Sequence, residues 1–300
     1  MLKINEILKK YDIKPRKYEK NKKTTIIETD QNKYVLKQKK QNKEIFDYLA
    51  TRNFDYIPKS LNDENDDYEI TPYIDSYNIP PEQKIMDLID IVSLLHNKTT
   101  HYKEVTEDDY KTIYEDIRNN IEYLYTYYMD IITIIETKIF MSPSEYLLAR
   151  NISKIFEILN ITKNKLEQWI KEVKTKTKQR YVVLHNNLDL DHFLINKRNY
   201  LISWDKSKID IPIFDIYKLY KKYCLDFEFD VLLKRYESNY PLSNDERNLL
   251  FILISLPDKI EFVQTEYENT KKIGKMIDYI YKTENLILPY YSNEGEKNNS

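Results

Sequence analysis

Glycine is almost missing from this chain. Its 300 residues hold two, Gly274 and Gly295, both towards the C-terminal end. Glycine takes positive φ at little cost and lets a backbone approach a ligand closely. Everything before Gly274 must therefore turn on other residues. No G-x-G-x-x-G, no G-x-x-x-x-G-K phosphate loop and no G-x-S-x-G nucleophile elbow can be written there. A phosphate site in this chain has to be built without a flexible glycine cradle.

The rest of the composition fits an ordered, heavily charged globular chain. Charged residues make up 32%, but 28 Tyr, 10 Phe and many Ile and Leu supply the anchors of a core. The length suits one large domain or two small ones. Lysine and arginine total 47 against 49 acidic residues, a balance that gives no reason to expect nucleic acid as a partner. The single cysteine, Cys224, excludes an intramolecular disulfide and a cysteine zinc cluster, and it is compatible with a reducing compartment. The start of the chain, MLKINEILKKYDIKPRKYEK, is charged throughout and lacks the apolar stretch of a secretory signal. No apolar run approaches the roughly 20 residues that span a bilayer. The expectation is a cytoplasmic chain with no membrane partner.

Two textures divide the sequence. Up to residue 78, short apolar alternations are broken by polar turns. After a short helix at Lys3–Lys10, Thr24–Thr29 and Lys33–Gln38 read as a hairpin around Asp30-Gln31-Asn32. Asn42–Arg52 reads as a helix with Ile45, Phe46 and Leu49 on one face, and Tyr68–Ile74 as a further strand. From Pro80 the pattern is helical. Ile85, Leu88, Ile89, Val92 and Leu95 have helical spacing, and a long amphipathic segment runs from Glu107 to Lys138. Ser142-Pro143-Ser144-Glu145 is a helix start, followed by two helices over 144–159 and 162–176. Strand texture returns at Tyr181–Leu184, Phe193–Ile195 and Tyr200–Trp204, and after Pro212 the chain is helical to about Leu286. This predicts an α+β fold with an antiparallel β N-lobe at 1–78, a helical C-lobe at 79–290 and a disordered tail at 291–300.

The block YVVLHNNLDLDHFLINKRNYLISWDKSKIDIPIFDIYKLY, residues 181–220, is laid out as strand, His loop, hairpin, acidic turn, Pro, Asp and helix. It resembles the catalytic segment of the aminoglycoside phosphotransferase and choline-kinase-like family, a branch of the protein-kinase-like fold. There the segment has the form H-G-D-L-x-x-x-N, a hairpin, I-D-W/F and P-x-x-D. Tyr34-Val35-Leu36-Lys37 is similar to the strand whose Lys grips nucleotide phosphates, and Glu44 is placed like its ion-pair partner. Ser93–Thr99, around His96, is similar to a helix ending in L-x-x-L-H. The order of motifs resembles the spore-coat (CotS-type) branch most closely. The resemblance implies a bilobal fold and the parts of phosphoryl transfer, with ATP and Mg²⁺ as cofactors if the chain is active.

The departures from that pattern bear on chemistry. Aligning His185 puts Asn187 at the catalytic Asp, His192 at the metal-binding Asn and Ser203 at the metal-binding Asp. An amide is no general base and a poor Mg²⁺ ligand. Asp191 and Asn196 have the family's mutual spacing in a shifted register, which shortens the hairpin before I-x-W. The hairpin spacing favours the first register. Substitutes are at hand in Asp189 and Asp191 in the loop, in Asp205 on the face of Ser203 if the strand continues, and in His192 for a transition metal.

Two readings stay open. One is a degenerate kinase relative, a pseudokinase acting as a binding or structural protein, with a protein or small-molecule partner and a spore-associated setting within reach. The other is an active ATP-dependent phosphotransferase with relocated metal ligands. Blander roles stand beside the sharp ones: Lys37 as a solvated strand lysine, Glu44 as one charge on a wet helix face, and His96 and His101 as structural residues. His185 orders its loop, and Asp215 caps the helix it precedes or bonds the loop backbone. Tyr123, Tyr125, Tyr127 and Tyr128 serve helix packing, and Lys171–Arg180 is a solvated helix end.

Overall fold

The structure is a computed structural model that describes residues 2–297, apart from 22–23, 40–42, 64–65 and 264. It opens with α1 (Leu2–Lys10) and the strands β1 (Lys17–Asn21), β2 (Thr24–Glu28) and β3 (Lys33–Gln38). Then come α2 (Lys43–Thr51), β4 (Tyr68–Pro72) and α3 (Pro81–Thr99). The four strands form one antiparallel sheet in sequence order. The hairpin between β2 and β3 closes through Thr29, whose hydroxyl takes the Asn32 amide at 3.0 Å and donates to the Asn32 carbonyl at 2.8 Å. Thus the Asp30–Asn32 turn is held by a hydroxyl instead of a glycine. β1, exposed along its length, was not legible as a strand: its charged KYEKN is the kind of edge that resists further pairing.

Alternation gives this sheet two working faces. Ile27, Leu36 and Ile70 point to one side and are buried with Leu8 of α1, flanked by Ile7, Tyr11, Ile13, Tyr34 and Tyr68. Each such side chain contributes about 1.5–3 kcal/mol on leaving water. Their neighbours in sequence, Ile26, Val35, Lys37, Glu69 and Thr71, must then point to the other side.

Two compact units are present. The first comprises residues 1–99 and 183–209, the second 100–182 and 210–300. The expected N-lobe, 1–78, lies within the first unit, which also takes in α3 and the loop-and-hairpin block. In α3 all five apolar residues singled out by spacing, Ile85, Leu88, Ile89, Val92 and Leu95, are buried. The block itself carries β7 (Phe193–Ile195) paired with β8 (Asn199–Leu201). β8 stops three residues short of the expected strand end at Trp204.

The second unit is mostly helical. Its chain order is β5 (His101–Glu104), α4 (Glu107–Glu136), α5 (Pro143–Val173) and β6 (Lys178–Leu184), the last running on into the first unit. After the block come β9 (Lys208–Asp210), α6 (Ile213–Tyr223), α7 (Phe229–Asn239), α8 (Asn244–Ser255) and α9 (Glu266–Lys297). α5 starts as expected, with Ser142 at the cap, Pro143 in the first turn and Glu145 closing a capping box. The two helices expected over 144–176 are one. No Gly or Pro lies between Leu159 and Lys163, and Thr162 returns its hydroxyl to the Ile158 carbonyl at 2.6 Å, so nothing breaks the ladder. Of the stretch expected as a disordered tail, 298–300 lie outside the described residues, and the backbone is helical up to Lys297.

Lys171–Arg180 is more than a solvated helix end. After Val173 the chain turns into β6, where Arg180 forms a half-buried ion pair with the buried Glu246, and Gln179 accepts the Tyr110 hydroxyl at 2.9 Å. Lys176 reaches Asp245 at 2.5 Å. A burial requirement for the apolar part of β6 draws these polar residues inward with it. Among the four tyrosines of α4, Tyr128 is fully buried and donates to the Asp258 carbonyl at 2.5 Å, whereas Tyr123 is half-exposed and stacks on Tyr127. No helix of the described residues is long and apolar enough to cross a membrane.

α1 is fastened to the turn before β4. Asp66 accepts from the Tyr11 hydroxyl at 2.7 Å, the Asn62 amide at 3.1 Å and the Lys10 ammonium at 3.0 Å, bonds that draw its carboxyl down from 3.8 to about 2. A depressed folded value means stability that is present above the unfolded value and lost as pH falls through the folded one. Thermal midpoints of the wild type should therefore drop between about pH 4 and pH 2, and Asp66→Asn should flatten that part of the profile.

Candidate functional site

Trp204 sets the geometry of the block. It is buried to 1% exposure, with edge contacts to Phe46 and Phe54 at 6.0 Å and to the His185 ring at 4.7 Å. Its indole donates to the Leu201 carbonyl at 2.9 Å. To bring Trp204 inward the chain leaves β8 and passes through Ser203 at φ 67°, ψ 47°, then enters a short 3-10 turn at Trp204–Lys206. A left-handed Ser costs on the order of 1 kcal/mol and persists because the packing around it over-determines it. The strand therefore does not continue, and Asp205 is not on a strand face shared with Ser203. The turn swings it towards the sheet instead.

There Asp205 meets Lys37. The Lys37 ammonium lies 2.5 Å from Asp205 Oδ1, with the two side chains 17% and 20% exposed. Both line a cavity of about 530 Å³ whose lining residues all belong to the first unit. One wall is the inner face of the sheet, with Ile26, Val35, Glu69 and Thr71; the other is the block, with His192, Leu194, Ile202 and Ser203. Glu69, directly across from Lys37 in the register of β3 and β4, was not singled out from sequence. The alternation that aims Lys37 inward was the signal that could have found it.

The His loop is tied to the block by its own polar groups. His185 Nε2 is 2.8 Å from the Ile202 carbonyl. Asn186, at φ 60°, donates to the Lys206 carbonyl at 2.7 Å. Asn187 Nδ2 donates to the Ser203 carbonyl at 3.2 Å, while the Asn187 carbonyl sits 2.8 Å from His192 Nδ1. Asp189 caps the next turn, its Oδ1 taking the Asp191 amide at 3.0 Å, and Asp191 is exposed. Asn196 of the shifted register lies in the β7–β8 turn, where it donates to the Asp75 carbonyl at 2.6 Å. Glu44 is exposed in the first turn of α2. His96 is fully buried near the end of α3. Asp215, in the second unit, is buried inside the first turn of α6 and does not precede the helix: Pro212 already takes helical angles, so the helix begins at Ile213. A carboxylate in that turn is favoured by the helix dipole.

No protein-family model matches the chain, and no curated protein is similar to it in sequence. Solved structures are similar to it in fold. An aminoglycoside phosphotransferase from Alicyclobacillus acidocaldarius matches with a TM-score of 0.68 at 8% identity, over 98% of this chain and 95% of that one. The chain has the aminoglycoside phosphotransferase fold. Spectinomycin phosphotransferase bound to AMP matches with a TM-score of 0.56 at 14% identity, over 94% of this chain and 97% of that one. The same enzyme with ADP and spectinomycin gives 0.51 at 13%, over 94% and 98%. At such identities the likeness is one of fold, and it agrees with the kinase-like frame that the motif order implies.

That frame implies a magnesium nucleotide, and the residues present do not fit the metal. Mg²⁺ wants an octahedron of oxygens, one or two of them from carboxylates. At the three positions that the resemblance gives to catalysis and metal stand a neutral amide, an imidazole and a hydroxyl, and the nearby Asp205 lies against the Lys37 ammonium. Among the described residues no three His, Cys, Asp or Glu side chains converge as ligands.

The left-handed turn can be tested directly. Ser203→Val should lower unfolding free energy by about 1–2 kcal/mol, since a β-branched residue resists that conformation. Ser203→Asn or Ser203→Gly should stay within about 0.5 kcal/mol of wild type. Urea unfolding followed by far-ultraviolet circular dichroism reads all three.

Proposed function

We propose that this chain is a pseudokinase: a binding protein in a phosphotransferase frame that does not transfer phosphate. The observation that carries the reading is the Asn187 amide. At the position where the resemblance puts a catalytic carboxylate, a donor faces the Ser203 carbonyl at 3.2 Å. Only a donor can face a carbonyl there. A carboxylate would set oxygen against oxygen, so the group that serves as general base in an active relative is incompatible with the bond that closes this loop. The same residue that removes the base thus latches the His loop to the Ser203 turn.

Two further features support the reading. Lys37, the expected phosphate-gripping residue, is engaged by Asp205. The hairpin that would cover the phosphates lacks glycine, although residues 22 and 23 of its first turn lie outside the described residues. The motif order shared with the spore-coat branch favours a role in an assembly over one in metabolism, and the fold is also that of spectinomycin phosphotransferase, so spectinomycin is a fair acceptor with which to challenge the chain.

With ATP, Mg²⁺ and spectinomycin or choline, the purified protein should consume ATP at the rate of buffer alone. Asn187→Asp should not gain activity and should lose about 1–3 kcal/mol of stability through its unmatched oxygen. Magnesium-dependent ATP turnover that disappears in Lys37→Ala would overturn the reading in favour of an active phosphotransferase with relocated ligands.

A further inference from the structure

The turn between α4 and α5 carries side chains that a surface turn has no structural reason to carry. Ile139, Phe140 and Met141 follow one another there, and Ile139 and Phe140 are 91% and 88% exposed. No other large apolar side chain among the described residues is as open to water. Both sides of the turn are fastened. The Thr137 hydroxyl donates to the Ile134 carbonyl at 2.7 Å, and the Lys138 amide to the Ile135 carbonyl at 3.1 Å. Beyond it the Ser142 amide donates to the Glu145 carboxylate at 2.9 Å, and the Lys138 ammonium closes on the same carboxylate. Ile139 and Phe140 are thus presented as a preformed apolar knob, which lowers the ordering cost of docking.

A socket lies in the same unit. A cavity of about 810 Å³ is lined wholly by residues of the second unit. Tyr220, Leu225, Phe227, Phe229, Leu286 and Tyr290 give it aromatic and aliphatic walls. At its edge Glu228 meets Lys282 at 3.6 Å and Asp230 meets Lys234 at 2.7 Å. Such a volume holds a ligand of drug size, and so has room for the side chains of one Ile and one Phe.

α9 fixes where knob and socket stand. Its first residue, Glu266, accepts the Ser144 amide at 2.5 Å and so lies beside the turn that carries the knob. The socket's wall on α9 starts at Asp278 and ends at Tyr290. At 1.5 Å per residue that wall begins about 18 Å further along the axis, out of reach of the knob of its own chain. We infer that Ile139 and Phe140 of one chain dock in the socket of a second copy. Each copy then covers an apolar projection and fills an apolar cavity that water otherwise penalises. Two copies lying antiparallel along α9 make both contacts at once and close; any other relation runs on head to tail. The inference goes beyond the pseudokinase reading and does not depend on it, since knob and socket both lie outside the first unit.

The test is sedimentation velocity of the full chain over a wide concentration range. The wild type should self-associate as concentration rises. A knob variant, Ile139→Asp with Phe140→Asp, and a socket variant, Asn285→Arg, should each associate tenfold or more weakly. Asn285 and Tyr281 are both exposed on α9, so Tyr281→Arg answers if Asn285→Arg folds poorly. The deciding sample is an equimolar mixture of knob and socket variants. One intact socket then meets one intact knob, so the mixture should form a dimer and nothing larger. A wild type that is monomeric throughout overturns the inference. So does a knob or socket variant that associates as the wild type does, which for the socket variant alone would mean knob packed on knob. A mixture that stays monomeric overturns it as well.

Discussion

Burial of Trp204 is the constraint from which the site follows. A large indole with one polar atom has to be packed on apolar neighbours with its N–H satisfied. Phe46, Phe54 and the His185 ring provide the first, and the Leu201 carbonyl the second. Because that acceptor lies only three residues back, the chain must coil tightly, and the coil passes through a left-handed Ser203. Three features of the block follow from this coil. It ends β8, exposes the Ser203 carbonyl to Asn187, and carries Asp205 to Lys37.

The sheet supplies the other half by simple alternation. Once Ile27, Leu36 and Ile70 are committed to the α1 side, Lys37 and Glu69 have no choice of face. A one-residue slip of β3 would put Leu36 in the cavity and Lys37 into the α1 core, so the register that stabilises the fold also delivers the charged pair. Packing and site chemistry are here a single decision, made by where the apolar residues stand in the strands.

Much of this was legible in the sequence, and the gaps have physical causes. Period-two strands and the period of α3 can be read locally, as can the Ser142 capping box, because each signal lies within a few residues. The merging of two expected helices into α5 was missed because a polar stretch around Asn160 looks like a break although no residue there forbids a helix. β5, β9 and the exposed β1 carry no burial pattern of their own; β5 pairs with β6 far along the chain, and β1 is a charged edge held only by its neighbour β2. The aligned motifs located Asn187, Ser203 and Lys37, but not the pairing of Lys37 with Asp205. That contact joins residues remote in sequence and depends on a turn that strand texture over Tyr200–Trp204 concealed.

The scarcity of glycine takes on a different meaning beside these turns. Among the described residues, four non-glycine positions have positive φ: Asp12, Asn53, Asn186 and Ser203. Asp and Asn are the side chains that tolerate this region, since they bond locally to the backbone. Three of the four positions are thus solved by the standard substitutes for glycine. Ser203 is not such a substitute, and it is also the residue standing where the resemblance puts a metal-binding Asp. An Asp would tolerate that backbone better, so the change to Ser is not explained by the turn. Its carboxylate would, however, have stood two residues from Asp205, which already meets the Lys37 ammonium. What holds Ser203 in the left-handed region is the burial of Trp204 beside it rather than any preference of the serine side chain.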